Sequence, residues 1–140
     1  MSMNEITLRK LKKQLEIHEG KRKFPYVDTV GKTTIGIGRN LTDVGVSETT
    51  IQQMLDEDVT KTLDFLQGKS WFTELDDVRQ QAVANMTFNL MGKVLDFKKM
   101  IAALVAKDWD RAANELLDST FAYQTGQRAK DLAQMIRTGQ

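Results

Sequence analysis

Apolar residues recur at helical spacing over most of this chain, with one interval where the rhythm breaks. Leu8, Leu11 and Leu15 follow an i, i+3, i+7 pattern. Asn4 is suited to capping that segment and Gly20 to ending it, which predicts a first helix closing at Glu19. Between Lys21 and Asn40 the pattern changes: Tyr26, Val27, Thr29, Val30, Thr33, Thr34, Ile35 and Ile37 favour strands, and Gly31, Gly36 and Gly38 mark turns or close backbone approach. A small antiparallel hairpin or meander is predicted, with Pro25, the single proline, in the loop before it. From Ser47 the helical rhythm returns through Ile51, Met54, Leu55, Val59, Leu63 and Leu66 and stops at Gly68. That is a helix of about 20 residues and about 30 Å, long enough to join two lobes. Leu75 to Leu90, Phe97 to Val105, Trp109 to Leu117 and Arg128 to Arg137 then read as a helical bundle with short connections.

Composition narrows the chemistry. The 140 residues contain no cysteine and one histidine, which rules out disulfides and thiolate metal sites and disfavours a histidine zinc site or a Ser-His-Asp triad. Net charge is +1 but uneven: residues 1 to 40 hold nine Lys or Arg against four Asp or Glu, and the remainder eleven against fifteen. Such a segment attracts polyanions in principle, although a solvated helix face plus a basic loop accounts for it equally simply. Met1 to Lys13 lacks the apolar run of a signal peptide, and no stretch reaches the about 20 apolar residues of a membrane span. A soluble protein made in the cytoplasm, one domain with two lobes, is expected.

The interval of broken rhythm carries the candidate chemistry. Glu19-Gly20-x7-Asp28-x5-Thr34-Ile35-Gly36-Ile37-Gly38 sets two carboxylates and a hydroxyl around a glycine-punctuated, strand-like segment. Glycosidic cleavage needs one carboxyl to protonate the leaving oxygen and a second that stays ionised beside the developing positive charge. Glu19 and Asp28 are the candidates. Glu19 falls at the C-terminal end of the predicted first helix. Taken singly, the three residues read more simply as a surface helix-end glutamate, a turn-forming aspartate and a β-branched strand residue.

The string Ile17-His18-Glu19-Gly20 through Asp28-Thr29 and Thr34-Ile35-Gly36-Ile37-Gly38 resembles the N-terminal region of the T-even phage lysozymes, the endolysins of glycoside hydrolase family 24. Five further strings are similar to that family in the same order: Leu75-Asp76-Asp77-Val78-Arg79, Asn85-Met86-Thr87-Phe88, Lys107-Asp108-Trp109-Asp110, Gln124-Thr125 with Arg128-Ala129-Lys130, and Arg137-Thr138-Gly139. The resemblance implies an α+β lysozyme-like fold, mostly helical, with residues 14–67 forming a small β-containing lobe with its bridging helix and residues 1–13 and 68–140 a helical lobe. It implies hydrolysis of the β-1,4 bond between N-acetylmuramic acid and N-acetylglucosamine with inversion, by Glu19 as general acid, Asp28 as the carboxylate acting on water and Thr34 as the hydroxyl holding that water. Inversion requires carboxyl groups about 6.5–9.5 Å apart.

By the same resemblance Phe88, Asn40, Gln124, Arg128, Met100 and Glu115 fall at sugar-binding positions, and Arg128 matches an arginine that pairs with the catalytic glutamate. Phe88 fits a cleft wall or the core, and Gln124 and Arg128 share a face if one helix holds both. The chain departs from the family at Arg39, where a histidine is common, and its Arg39 to Ser47 segment is shorter, which suggests a small lobe reduced to one hairpin. No cofactor or metal is implied. Expected partners are bacterial peptidoglycan and a holin giving access to the wall. No nucleic acid and no stable membrane insertion are expected, and the protein would act as a monomer. It would be held in the host cytoplasm until the membrane is permeabilised and would then act on the wall. Two alternatives stand beside this reading: a lytic transglycosylase on the same polymer, which uses a glutamate alone, and a non-catalytic lysozyme-like binding module.

Overall fold

The computed structural model describes residues 3–140. Met1 and Ser2, included in the expected 1–13 segment, lie outside the described residues. The fold is α+β, a small antiparallel sheet among helices, and the chain divides into two compact units, Met1–Gln52 and Gln53–Gln140. The division falls inside a helix rather than after residue 67, because the later part of that helix gives Thr62 and Leu66 to the buried interior of the second unit. Residues 3–13, expected with the helical lobe, count with the first unit.

In the first unit Asn4 Oδ1 accepts the Thr7 N–H at 2.9 Å and starts α1 (Glu5–Glu19); Gly20, at φ 78°, ends it with its N–H on Glu16 O at 2.9 Å. Strands β1 (Arg22–Val27), β2 (Thr33–Gly36) and β3 (Arg39–Asn40) form an antiparallel sheet in the order β1-β2-β3, the meander of the two forms the sequence predicts, with one strand more than the hairpin suggested by the short Arg39 to Ser47 segment. Tyr26 pairs with Thr34, Val27 with Thr33, and Thr34 with Asn40. Pro25 lies within β1, not before it, at an irregularity of register between Arg22 and Tyr26. An edge strand tolerates it there because proline has no N–H to give the ladder.

The second unit begins within α2 (Glu48–Gln67), whose first turn is capped by Ser47 Oγ accepting the Thr50 N–H at 3.1 Å. It continues through α3 (Ser70–Thr73), α4 (Asp77–Leu90), a 3-10 helix (Met91–Asp96), α5 (Lys98–Val105), α6 (Trp109–Leu117), α7 (Thr120–Thr125) and α8 (Gln127–Thr138). Asp76, Asp108 and Ser119 cap α4, α6 and α7 with side-chain oxygens. Among the described residues every buried apolar one lies here, from Leu66 to Ile136. Small residues at Ala112, Ala113, Ala129 and Ala133 are buried where α6 packs on α8, so the two helices approach closely. Arg79 of α4 closes the bundle: its Nε donates to Ile136 O at 2.7 Å, its guanidinium lies 3.8 Å from the Trp109 ring centroid, and its Nη1 pairs with Asp76 at 2.9 Å. The carbonyls that α8 leaves unpaired at its C-terminus thereby gain a charged donor. Among the described residues no helix is long and apolar enough to cross a membrane.

Candidate active site

The first unit buries one side chain among its described residues, and that side chain is polar: Thr34, 4% exposed. Hydrophobic burial does not explain a lone buried hydroxyl in so open a unit; its hydrogen bonds do. Thr34 Oγ1 donates to Lys32 O at 3.1 Å. The same carbonyl accepts the Asp28 N–H at 2.9 Å, while the Lys32 N–H donates to Asp28 Oδ1 at 2.8 Å. The main chain of Lys32 therefore joins Asp28 and Thr34 in one hydrogen-bonded turn.

Asp28 builds that turn from its own side chain. Oδ1 accepts from the Val30 N–H at 3.0 Å as well as from Lys32, and Gly31, at φ 83°, lets the chain reverse. The turn-forming reading of Asp28 is thus correct, and it is compatible with chemistry. One carboxylate oxygen is tethered by two N–H groups, which fixes the orientation of the other, and a carboxylate has acceptor capacity left for a water proton. Thr34 Oγ1, its hydrogen directed at Lys32 O, has lone pairs left to accept from a water.

Glu19 stands at the last residue of α1, exposed, as the sequence predicts. Its carboxyl lies against the main chain of Gly38 in the turn between β2 and β3: a β-carbon built on Gly38 would fall 2.7 Å from Glu19 Oε2. The α1 terminus and the sheet therefore meet at the carboxyl. Asn40 bonds locally, its Nδ2 on Asp43 Oδ2 and its Oδ1 on the Asp43 N–H, both at 3.0 Å. That makes it a turn former, with one amide N–H and one Oδ1 lone pair left over. Arg39 Nη1 donates to Gly45 O at 3.3 Å.

In the second unit Phe88 is 39% exposed, so it belongs to a surface and not to the core. It lines a cavity of ≈ 330 Å³ with Leu55, Val59, Leu63, Asn85 and Arg128. Arg128 is anchored on that wall: Nε donates to Asn85 Oδ1 and Nη2 to Asn85 O, both at 2.9 Å. Gln124 and Arg128 do not share one helix, because Gly126, at φ 56°, ends α7 before α8 begins. Met100 is 1% exposed and belongs to the core; it reaches only the floor of a depression that Glu115 also lines. A side chain so buried offers a sugar no stacking or hydrogen-bonding surface, which corrects the assignment made for it.

Lys32, whose side chain pairs with Asp43 at 3.2 Å while its main chain holds the turn, was not singled out from the sequence. The available signal was an aspartate three residues before a glycine, the pattern of a turn closed by its own side chain.

Comparison with known proteins bears on the class of the chain. A family model described as phage lysozyme matches residues 16–137. Two proteins of Dictyostelium discoideum, probable T4-type lysozyme 2 and probable T4-type lysozyme 1, are 28% and 24% identical over 160 aligned positions, each covering 92% of this chain and 94% of the relative. The pre-baseplate central spike protein Gp5 of Enterobacteria phage T4 is 39% identical over 62 residues, 44% of this chain and 11% of that protein. The fold and these matches define a glycoside hydrolase of the lysozyme type. The chain belongs to the phage lysozyme family, and peptidoglycan is its substrate.

Proposed function

We propose that this lysozyme hydrolyses the β-1,4 bond between N-acetylmuramic acid and N-acetylglucosamine by single displacement with inversion, and that it serves host-cell lysis. Glu19 protonates the glycosidic oxygen as the bond to the anomeric carbon breaks. A water held by Thr34 attacks the opposite face and gives its proton to Asp28. The observation that carries this reading is the turn at Lys32, which couples the tethered carboxylate of Asp28 to the buried hydroxyl of Thr34. A threonine hydroxyl committed as a donor to a carbonyl is suited to accept from water and unsuited to act as a nucleophile.

Sugar contacts in the second unit are assigned to Phe88, Gln124 and Arg128, with Glu115 at the depression beside Met100. A monomeric enzyme, its retention in the host cytoplasm and its holin-dependent release to the wall belong to the proposal. The experiment is clearing of purified peptidoglycan by the wild type, Glu19→Gln and Asp28→Asn. Loss of clearing in both variants, with circular dichroism unchanged, is expected. An active Asp28→Asn enzyme would favour the transglycosylase, and an inert wild type a binding module.

A further inference from the structure

Two glycines of the β2–β3 region adopt backbone angles that L-residues avoid, Gly36 at φ 68° and Gly38 at φ 71°, yet their surroundings differ. A β-carbon at Gly36 would meet nothing within 4 Å. At Gly38 it would lie 2.7 Å from Glu19 Oε2, 3.0 Å from Cδ and 3.1 Å from Cγ, closer than carbon and oxygen pack. Conformational freedom alone accounts for Gly36. At Gly38 the absence of a side chain also makes the room that the Glu19 carboxyl occupies.

We infer that Gly38 is a positioning residue for Glu19: its bare Cα is the surface against which the proton donor is set. The inference rests on the reading of Glu19 as general acid. The atoms in the way are the far end of a flexible glutamate and not main chain, so the fold relieves a methyl at Gly38 by swinging the carboxyl aside. The cost then falls on the reaction, since a displacement of about 1 Å of a reacting group loses about 10²-fold in rate. Strain from the positive φ is common to both glycines and cancels in their comparison.

The test measures kcat and KM on soluble peptidoglycan strands, with urea midpoints, for Gly38→Ala, Gly36→Ala, Glu19→Asp, Glu19→Asp/Gly38→Ala and Glu19→Gln. Both glycine variants should show similar falls in urea midpoint. Gly38→Ala alone should lose about 10²-fold in kcat with KM little changed, while Gly36→Ala keeps the wild-type kcat. Adding Gly38→Ala to Glu19→Asp should cost less than adding it to the wild type, because the shorter side chain withdraws the colliding atoms. Equal kcat losses in the two glycine variants, or none at Gly38, would overturn the inference. An active Glu19→Gln enzyme would instead remove the acid assignment beneath it, so the two failures are distinguishable.

Discussion

Replacing Thr34 by valine deletes one oxygen and leaves the shape of the buried site nearly unchanged. The structure sets the stability cost. Thr34 Oγ1 makes one neutral hydrogen bond, to Lys32 O at 3.1 Å, worth about 1 kcal/mol net. Lys32 O is not orphaned by the change, because it keeps the Asp28 N–H at 2.9 Å. The added methyl recovers at most about 0.8 kcal/mol if it is fully buried. The expected destabilisation is therefore about 0–1 kcal/mol, measured by urea unfolding. Catalysis should respond far more strongly. Removing one preorganised hydrogen-bonding group that acts in the transition state costs about 10²–10³-fold in kcat. Turnover on purified peptidoglycan should fall by that order in Thr34→Val and return largely in Thr34→Ser, which restores the hydroxyl. If Thr34→Val folds and turns over like the wild type, the hydroxyl only fastens the turn and the reasoning fails. Loss of rate in step with loss of stability would refute it equally.

Asp28→Asn should keep the turn, since an amide oxygen can accept from Val30 and Lys32, and should lose activity by about 10²–10⁴-fold; Asp28→Ala should lose activity and also lower the melting temperature, because both tethers go. The Asp76 carboxyl is pushed up by burial, but the hydrogen bonds from the Arg79 side chain and main chain and the Arg79 charge outweigh that and hold it below its ordinary value of 3.8. A depressed carboxyl stabilises the fold above that ordinary value and loses the contribution as pH falls through its own lower value. Thermal melts from neutral to acid pH should accordingly show a decline that Asp76→Asn flattens, whereas Asp76→Ala costs about 1 kcal/mol at neutral pH through the lost cap. Arg79→Lys gives up the Nε bond to Ile136 O and the stacking on Trp109, and should destabilise by about 2 kcal/mol in urea despite keeping the charge; an unchanged midpoint would show that α8 needs no clamp.

The elements visible in the sequence were those whose signals are local. Asn4 and Gly20 carry their capping chemistry in their own side chain and backbone, so α1 and the position of Glu19 at its end were readable, as were α5 and α6. The short pieces α3, the 3-10 helix and α7 were not, because four to six residues show too little periodicity and their ends are set by packing and by Gly126 at φ 56°. The sequence reading sets Pro25 before β1, whereas an edge strand at an irregular register has no use for the N–H that proline lacks. In the site, Glu19, Asp28 and Thr34 were legible as a pattern of chemical types. What binds Asp28 to Thr34 was not, since the groups are the N–H and C=O of Lys32 and any residue supplies those. Met100 and Phe88 show the same limit from the other side: both are large apolar residues at helical spacing, and only the packed bundle makes one core and leaves the other on a cavity wall.

Activation of a water by Asp28 and Thr34 is the central claim, and the source of the oxygen at the new chain end tests it most directly. Peptidoglycan digested in water enriched in heavy oxygen should yield reducing N-acetylmuramic acid ends that carry one labelled oxygen by mass spectrometry. Anhydro ends without label would contradict the account.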